Sequence, residues 1–180
     1  MAIAATRRDL GARLNAIMES TAGAFPRAVL ATEGSPEGWL DEAPALAVEE
    51  RLRAALAAAR GEDAVSGMTR WGPHRSDLAV AHGRSGMPAA ECSTGEQKAL
   101  LLSILLAQAR LVAAERGMTP VLLLDEVAAH LDERRRAALF EALLALGAQA
   151  WLTGTEERLF APLGDQAQFF RVRDGTVVAP

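Results

Sequence analysis

Apolar positions along the chain fall into two rhythms. In the first third the spacing is helical: Ile3, Leu10, Leu14, Ile17 and Met18 recur on one face and predict a helix over 3–18. A second helical stretch covers 46–60, with Gly61 as its expected stop. Between them 28–32 reads as a short strand, and Gly34, Ser35, Pro36 and Gly38 as a turn. From about residue 61 short aliphatic runs alternate with long helical ones. Residues 78–81 predict a strand, and 98–116 a long helix closed by Gly117 with Pro120 just beyond. The run 121–124 is aliphatic without alternation, which suits a parallel strand covered on both faces. Asp132 is placed to cap a helix that runs to Leu146 and ends at Gly147. Residues 149–153 predict another buried strand, and 169–178 a hairpin turning at Asp174-Gly175. The fold class is α/β, with a mainly parallel sheet flanked by helices over 61–180 and a helical region over 1–60.

Composition sharpens this picture at a few points. Ala and Leu carry the apolar share, aromatic residues make up only 4% and Tyr is absent, which favours helices. The net charge of −4 argues against a strongly basic, free-standing nucleic-acid binder. The densest basic run, Arg134, Arg135 and Arg136, shares its helix with Glu133 and Glu141 and reads as a solvated face. A single cysteine, Cys92, has no internal disulfide partner, as expected in a reducing cytoplasm. Thr6, Arg7, Arg8 and Asp9 interrupt any leader-like start, and the longest apolar run, 99–107, is short of the ~18 residues that span a bilayer. A soluble cytoplasmic protein is expected. His74, His82 and Cys92 match no zinc-ligand spacing.

Two short motifs carry chemistry. Asp125 and Glu126 follow the aliphatic run Val121-Leu122-Leu123-Leu124, so two carboxylates stand at the carboxyl end of a strand. Ligands of open α/β sheets bind at that end. Nucleotide hydrolysis needs one acid for Mg²⁺ and a second to position or deprotonate water. A strand that merely ends in an acidic loop would look the same. About thirty residues earlier, Ser93-Thr94-Gly95-Glu96-Gln97-Lys98 opens the long helix. Its local geometry predicts a capping box, with Ser93 as cap and Glu96 reaching back. The same helix start offers unpaired N–H groups and a positive dipole end to phosphate, and Gly95 permits close backbone approach.

Ser93 to Lys98 in front of an apolar helix resembles the signature motif of ATP-binding-cassette ATPases, closest to the SMC-like DNA-repair variants; Thr94 stands where that family usually has Gly. Val121-Leu122-Leu123-Leu124-Asp125-Glu126 resembles the family's Walker B strand, and Ala129-His130-Leu131-Asp132 its D-loop, in the same order and spacing. Gly72-Pro73-His74-Arg75-Ser76-Asp77-Leu78 and the pattern over 122–139 are similar to the RecF branch of that family. Thr153-Gly154-Thr155 resembles its last nucleotide-proximal loop, with Thr153 or Thr155 where related cassettes carry a phosphate-sensing His. The likeness covers about 61–180; residues 1–60 match loosely, as the end of the helical arm inserted into such cassettes.

The resemblance implies that ATP binds between two head-to-tail subunits of the intact protein. It assigns Asp125 to Mg²⁺, Glu126 to water activation, and Ser93, Thr94, Gly95 and Glu96 to the nucleotide across the interface, with Asp132 at the dimer contact. It also implies an ATP-dependent clamp on DNA at gaps or stalled forks, with a recombination mediator of the RecR kind as partner. A Walker A loop needs Gly-Lys-Ser/Thr. The single lysine, Lys98, follows Gln97, so that loop is not in these 180 residues. The chain therefore reads as the C-terminal part of a cassette, inactive as an ATPase alone. The alternatives are another SMC-like cassette, or a non-catalytic piece that docks onto a separate lobe.

Overall fold

A computed structural model describes every residue except Ala22, Ala24, His130, Ala179 and Pro180. The described chain forms two compact units, Met1–Met118 and Thr119–Pro180.

In the first unit, α1 (Ala2–Ser20) leads to β1 (Ala28–Glu33), α2 (Ser35–Glu42), α3 (Ala45–Ser66), β2 (Asp77–His82) and the long α4 (Thr94–Arg116). β1 and β2 pair antiparallel, from Ala28 opposite His82 to Glu33 opposite Asp77. The pairing joins a strand from 1–60 to one from 61–180. Leu14 and Met18 of α1, Ala28 and Leu30 of β1, Cys92, and Leu100, Ala107 and Leu111 of α4 form one buried cluster. Asn15 ties α1 to β1: its amide nitrogen donates to the Leu30 carbonyl at 2.8 Å, and its oxygen accepts from the Leu30 N–H at 2.9 Å. A side chain thus satisfies backbone groups that β2 does not reach.

Two local expectations are corrected. The cluster Gly34, Ser35, Pro36 and Gly38 is not an open turn but the start of α2. Proline fits a first helical turn, where its missing N–H costs nothing. A Cβ on Gly34 would collide with the side chains of Glu37 and Ser76, so close packing explains that glycine. Gly61 does not stop α3, which continues to Ser66 and ends at Gly67, left-handed at φ 68°. Glycine inside a helix is a tolerable cost; glycine in the left-handed position beyond it terminates the helix without a Cβ clash.

On length and composition α4 could cross a bilayer, with a mean hydropathy of 1.4 over its most apolar window. Leu100, Ala107 and Leu111 instead contribute to the buried cluster of the first unit, so α4 is a core helix.

The second unit contains β3 (Leu122–Leu124), α5 (Glu133–Leu146), β4 (Ala150–Leu152) and the hairpin β5 (Arg171–Arg173) with β6 (Thr176–Val178). β3 and β4 are parallel, Leu122 opposite Ala150 and Leu124 opposite Leu152, with α5 between them in sequence. Asp132 caps α5, its carboxylate accepting from the Arg135 N–H at 2.7 Å, and Gly147 closes it at φ 63°. The hairpin turns on Asp174 and Gly175, at φ 48° and 73°, as a two-residue turn with positive φ at both centres requires. The parallel component of the described sheets is the β3–β4 pair; the other two pairs are antiparallel. The strand expected to be covered on both faces is covered on one. Leu122 and Leu124 are buried, whereas Leu123 is 77% exposed.

Candidate nucleotide-binding residues

The helix start at Ser93 is built as its sequence predicts. Ser93 Oγ accepts from the Glu96 N–H at 3.4 Å, and Glu96 Oε2 accepts from the Ser93 N–H at 3.0 Å, closing the capping box. The Ser93 hydroxyl also lies 2.7 Å from Glu96 Oε2. Gln97 reaches back to the carbonyls of Ala90 and Cys92, at 3.3 and 3.0 Å, and pins the preceding loop to the helix. Ser93 and Thr94 are exposed and Gly95 is half-buried. The first-turn N–H groups of a helix have no intrahelical acceptor, so this surface presents donors and the positive end of a 23-residue dipole.

Cys92 lies directly before this turn, buried, its thiol 3.5 Å from the Pro88 carbonyl. Burial pushes the thiol above its usual range, and the charges of Glu96 and Glu91 push it the same way. The thiolate is the reactive form, so a raised pKa and burial both slow alkylation. Iodoacetamide at pH 8 is expected to label the native chain at least ~10-fold more slowly than the urea-unfolded chain. Equal rates, read by mass spectrometry, would show that the turn around Ser93 is not closed.

At the end of the parallel pair, Asp125, Glu126 and Thr153 form one network. The Thr153 hydroxyl donates to Asp125 Oδ1 and accepts from the Glu126 N–H at 3.0 Å. The Thr153 N–H donates to the Leu124 carbonyl at 3.0 Å, extending the parallel ladder by one step. Glu126 has φ 46°, a left-handed conformation rare for a residue with a side chain. Such a backbone costs about 1–3 kcal/mol and persists where neighbours enforce it. The Thr153 hydroxyl, held by the ladder, grips both residues of that turn. Both carboxylates are exposed rather than buried at the strand end. Asp125 offers an anionic oxygen of the kind a hard divalent cation takes. Behind Thr153, Gly154 has no room for a side chain, because a Cβ would meet the Phe160 ring at 2.7 Å. Thr155 is exposed two residues further on. Asp132 is exposed and serves as the cap of α5, and His130, in the run likened to a D-loop, lies outside the described residues.

The Gly72-to-Leu78 segment has a structural anchor. His74 Nε2 contacts the Thr69 carbonyl at 2.9 Å, and Arg7 donates to the Pro73 carbonyl at 2.6 Å. Ser76 donates to the buried carboxylate of Glu37 at 2.7 Å, with the Arg7 guanidinium 3.9 Å from its other oxygen. Arg75 lines an open cleft of about 300 Å³ with Arg70, Trp71 and Asp77. Glu37 and Asn15 carried no sequence signal, since each acts through a contact distant in sequence.

No protein-family model matches the chain. The DNA replication and repair protein RecF of Mesorhizobium japonicum is 52% identical over 179 residues, spanning 98% of this chain and 47% of that protein. RecF of Rhizobium etli is 49% identical, spanning 98% and 48%. A solved structure of the recombination mediator protein RecF with ATP, from the RecFOR pathway, superposes with a TM-score of 0.68 at 23% identity, covering 98% of this chain and 46% of that one. A second, with ATPrS, gives the same TM-score and identity over 97% and 44%. The fold is therefore that of the matching part of these solved RecF structures. By sequence the chain is homologous to these RecF proteins and matches their C-terminal half. It spans about half the length of the curated relatives it matches.

Proposed function

We propose that this chain supplies the signature helix and the hydrolytic carboxylates of a RecF-type ATPase that closes on DNA at gaps or stalled forks as an ATP-dependent dimer. The observation that carries the reading is the Asp125–Glu126–Thr153 network: two acids at the end of a parallel strand, in a left-handed turn held by the neighbouring strand. Residues 61–180 carry the motifs, and 1–60 contribute the end of the arm region. The relatives are named as DNA replication and repair proteins, which supports DNA as the target, and the neighbouring structures are placed in the RecFOR pathway, which supports a RecR-like partner. The neighbouring structures are described with ATP and ATPrS, which supports ATP as the ligand.

Bound Mg–ATP would supply the phosphoryl group and the cation that neutralises its charge. Asp125 would hold the cation through the oxygen that Thr153 orients. Glu126 would accept the proton of the attacking water. Thr153, and Thr155 beyond it, would stand where a phosphate sensor is needed. Ser93, Thr94, Gly95 and Glu96 would face the nucleotide of the second subunit, and Asp132 would lie at the dimer contact. A ligand shared by two subunits stabilises the pair by its own binding free energy.

The test uses a chimaera in which the N-terminal half of the M. japonicum relative precedes this chain. If Ser93 is only a helix cap, Ser93→Asp costs the fold only its repulsion from Glu96 and leaves dimerisation intact, because Asp caps as well as Ser. If Ser93 faces a polyphosphate, the new charge repels it. The expected result is a melting temperature lowered only slightly, by the repulsion from Glu96, together with loss of ATP-dependent dimerisation in sedimentation velocity. Dimerisation equal to the parent would reduce the motif to its capping box.

A further inference from the structure

The cleft beside Trp71 carries charges of both signs that the chain leaves unmatched. Its lining includes Arg70, Trp71 and Arg75 together with Glu33 and Asp77. Arg70 is ion-paired with Glu62, whereas Arg75 is exposed and makes no ion pair among the described residues. Glu33 and Asp77 are register partners at one end of the β1–β2 pair. Like charges directly opposite destabilise a sheet, and neither carboxylate has a cation at ion-pair distance among the described residues. Trp71 packs on Trp39 with ring centroids 5.4 Å apart, and the Arg51 guanidinium lies 4.2 Å over the Trp39 ring. The turn between Trp71 and Arg75 is anchored without the Arg75 side chain. Gly72 takes φ 137°, its carbonyl accepts from the Arg75 N–H at 3.0 Å, and His74, Ser76 and Arg7 make the other anchors.

A ligand that matches such a cleft has an aromatic ring, a donor edge and an anion. A nucleotide with an amino-bearing base has all three. We infer that the cleft takes one unstacked nucleotide of a single DNA strand, its base against Trp71, its amino edge toward Glu33 and its phosphate on Arg75. A volume of about 300 Å³ suits one base. Bases stack on aromatic side chains, a carboxylate accepts from the cytosine amino group, and a guanidinium pairs with phosphate through two parallel bonds. A bare phosphate would face two carboxylates, and a duplex keeps its bases stacked, so neither fits as well. The inference rests on the proposed DNA target and on no assignment of ATP. It gives the single-stranded part of a gap a place on this chain.

The experiment titrates the whole chain, without ATP, with a fluorescent oligodeoxycytidylate of about twelve nucleotides and reads anisotropy. Arg75→Gln is expected to weaken binding at least ~5-fold and to lower the salt slope of the binding constant by about 0.7, the share of one phosphate on a single strand. Its melting should be unchanged, since Arg75 is exposed. Arg116→Gln, at an exposed position of α4 outside the cleft, removes the same charge and should bind like the parent. Oligothymidylate, whose base lacks the amino group, should bind at least ~5-fold more weakly. In a Trp39→Phe, Trp151→Phe background Trp71 is the sole tryptophan, and the single strand should quench its fluorescence. Absence of single-strand binding overturns the inference, as does undiminished binding by the Arg75→Gln variant or an unquenched Trp71 at saturation. Equal affinity for oligothymidylate overturns the contact with Glu33. Equal quenching by a blunt duplex overturns the inference in favour of backbone contact alone, and equal quenching by polyglutamate in favour of an acidic protein segment. None of these readings involves ATP-dependent dimerisation, so the Ser93→Asp test of the chimaera succeeds or fails separately.

Discussion

Glu126→Gln in the chimaera is expected to slow steady-state ATP hydrolysis by ~10²–10⁴ while ATP binding and ATP-dependent dimerisation persist, as removal of a general base typically does. The amide keeps a similar shape and can still hydrogen-bond water, but it cannot accept a proton. The backbone at φ 46° makes the substitution informative, because Gln meets the same left-handed cost as Glu and leaves the turn comparable. Phosphate release and sedimentation velocity on one preparation separate chemistry from binding. Turnover within about threefold of the parent would move the base elsewhere, since a general base contributes far more than that. Loss of dimerisation together with hydrolysis would mean that Glu126 holds the nucleotide rather than activating water.

The largest expected effect on stability lies two residues past the signature motif. Leu100 is 1% exposed and belongs to the cluster that joins α1, β1 and α4. Leu100→Ala is expected to destabilise the chain by about 2–5 kcal/mol, the sum of lost transfer free energy and an incompletely collapsed cavity. Urea denaturation reads this as a lower midpoint at an unchanged slope. A loss below about 1 kcal/mol would mean that the helix can repack around the vacated volume. Leu101, its neighbour, is 62% exposed, and Leu101→Ala serves as the control on the solvent side of the helix.

Much of this was legible in the residues because the signals were local. The ends of α4 and α5 follow from Ser93, Gly117, Asp132 and Gly147, each acting on its own turn. The hairpin follows from Asp174-Gly175. The errors also have local causes. Pro36 and Gly34 belong as much to a helix start as to a turn, and only the buried Glu37 and Ser76 pair, far apart in sequence, decides between them. Gly61 was misread as a stop because glycine breaks a helix only where the chain takes a left-handed conformation, as Gly67 does. The link between Thr153 and the acids Asp125 and Glu126 depends on the parallel register of Leu124 with Leu152, a long-range fact that composition does not carry. The bare side of Leu123 was not foreseeable either. A strand's composition records that it is apolar, not which of its faces the chain covers.

The central claim, a site shared head-to-tail between two chains, is tested most directly by mixing two inactive variants of the chimaera, Glu126→Gln and Ser93→Asp. In a mixed dimer one shared site carries both lesions, and the other pairs an intact Glu126 with an intact Ser93 from the opposite subunit. At equal concentrations, high enough to hold the dimer through that one site, the mixture is expected to hydrolyse ATP well above either component, up to about a quarter of the parental rate at random pairing and less where Glu126→Gln pairs with itself. If the mixture stays as inactive as its components, Glu126 and Ser93 do not serve one nucleotide from two subunits, and the shared-site account is contradicted.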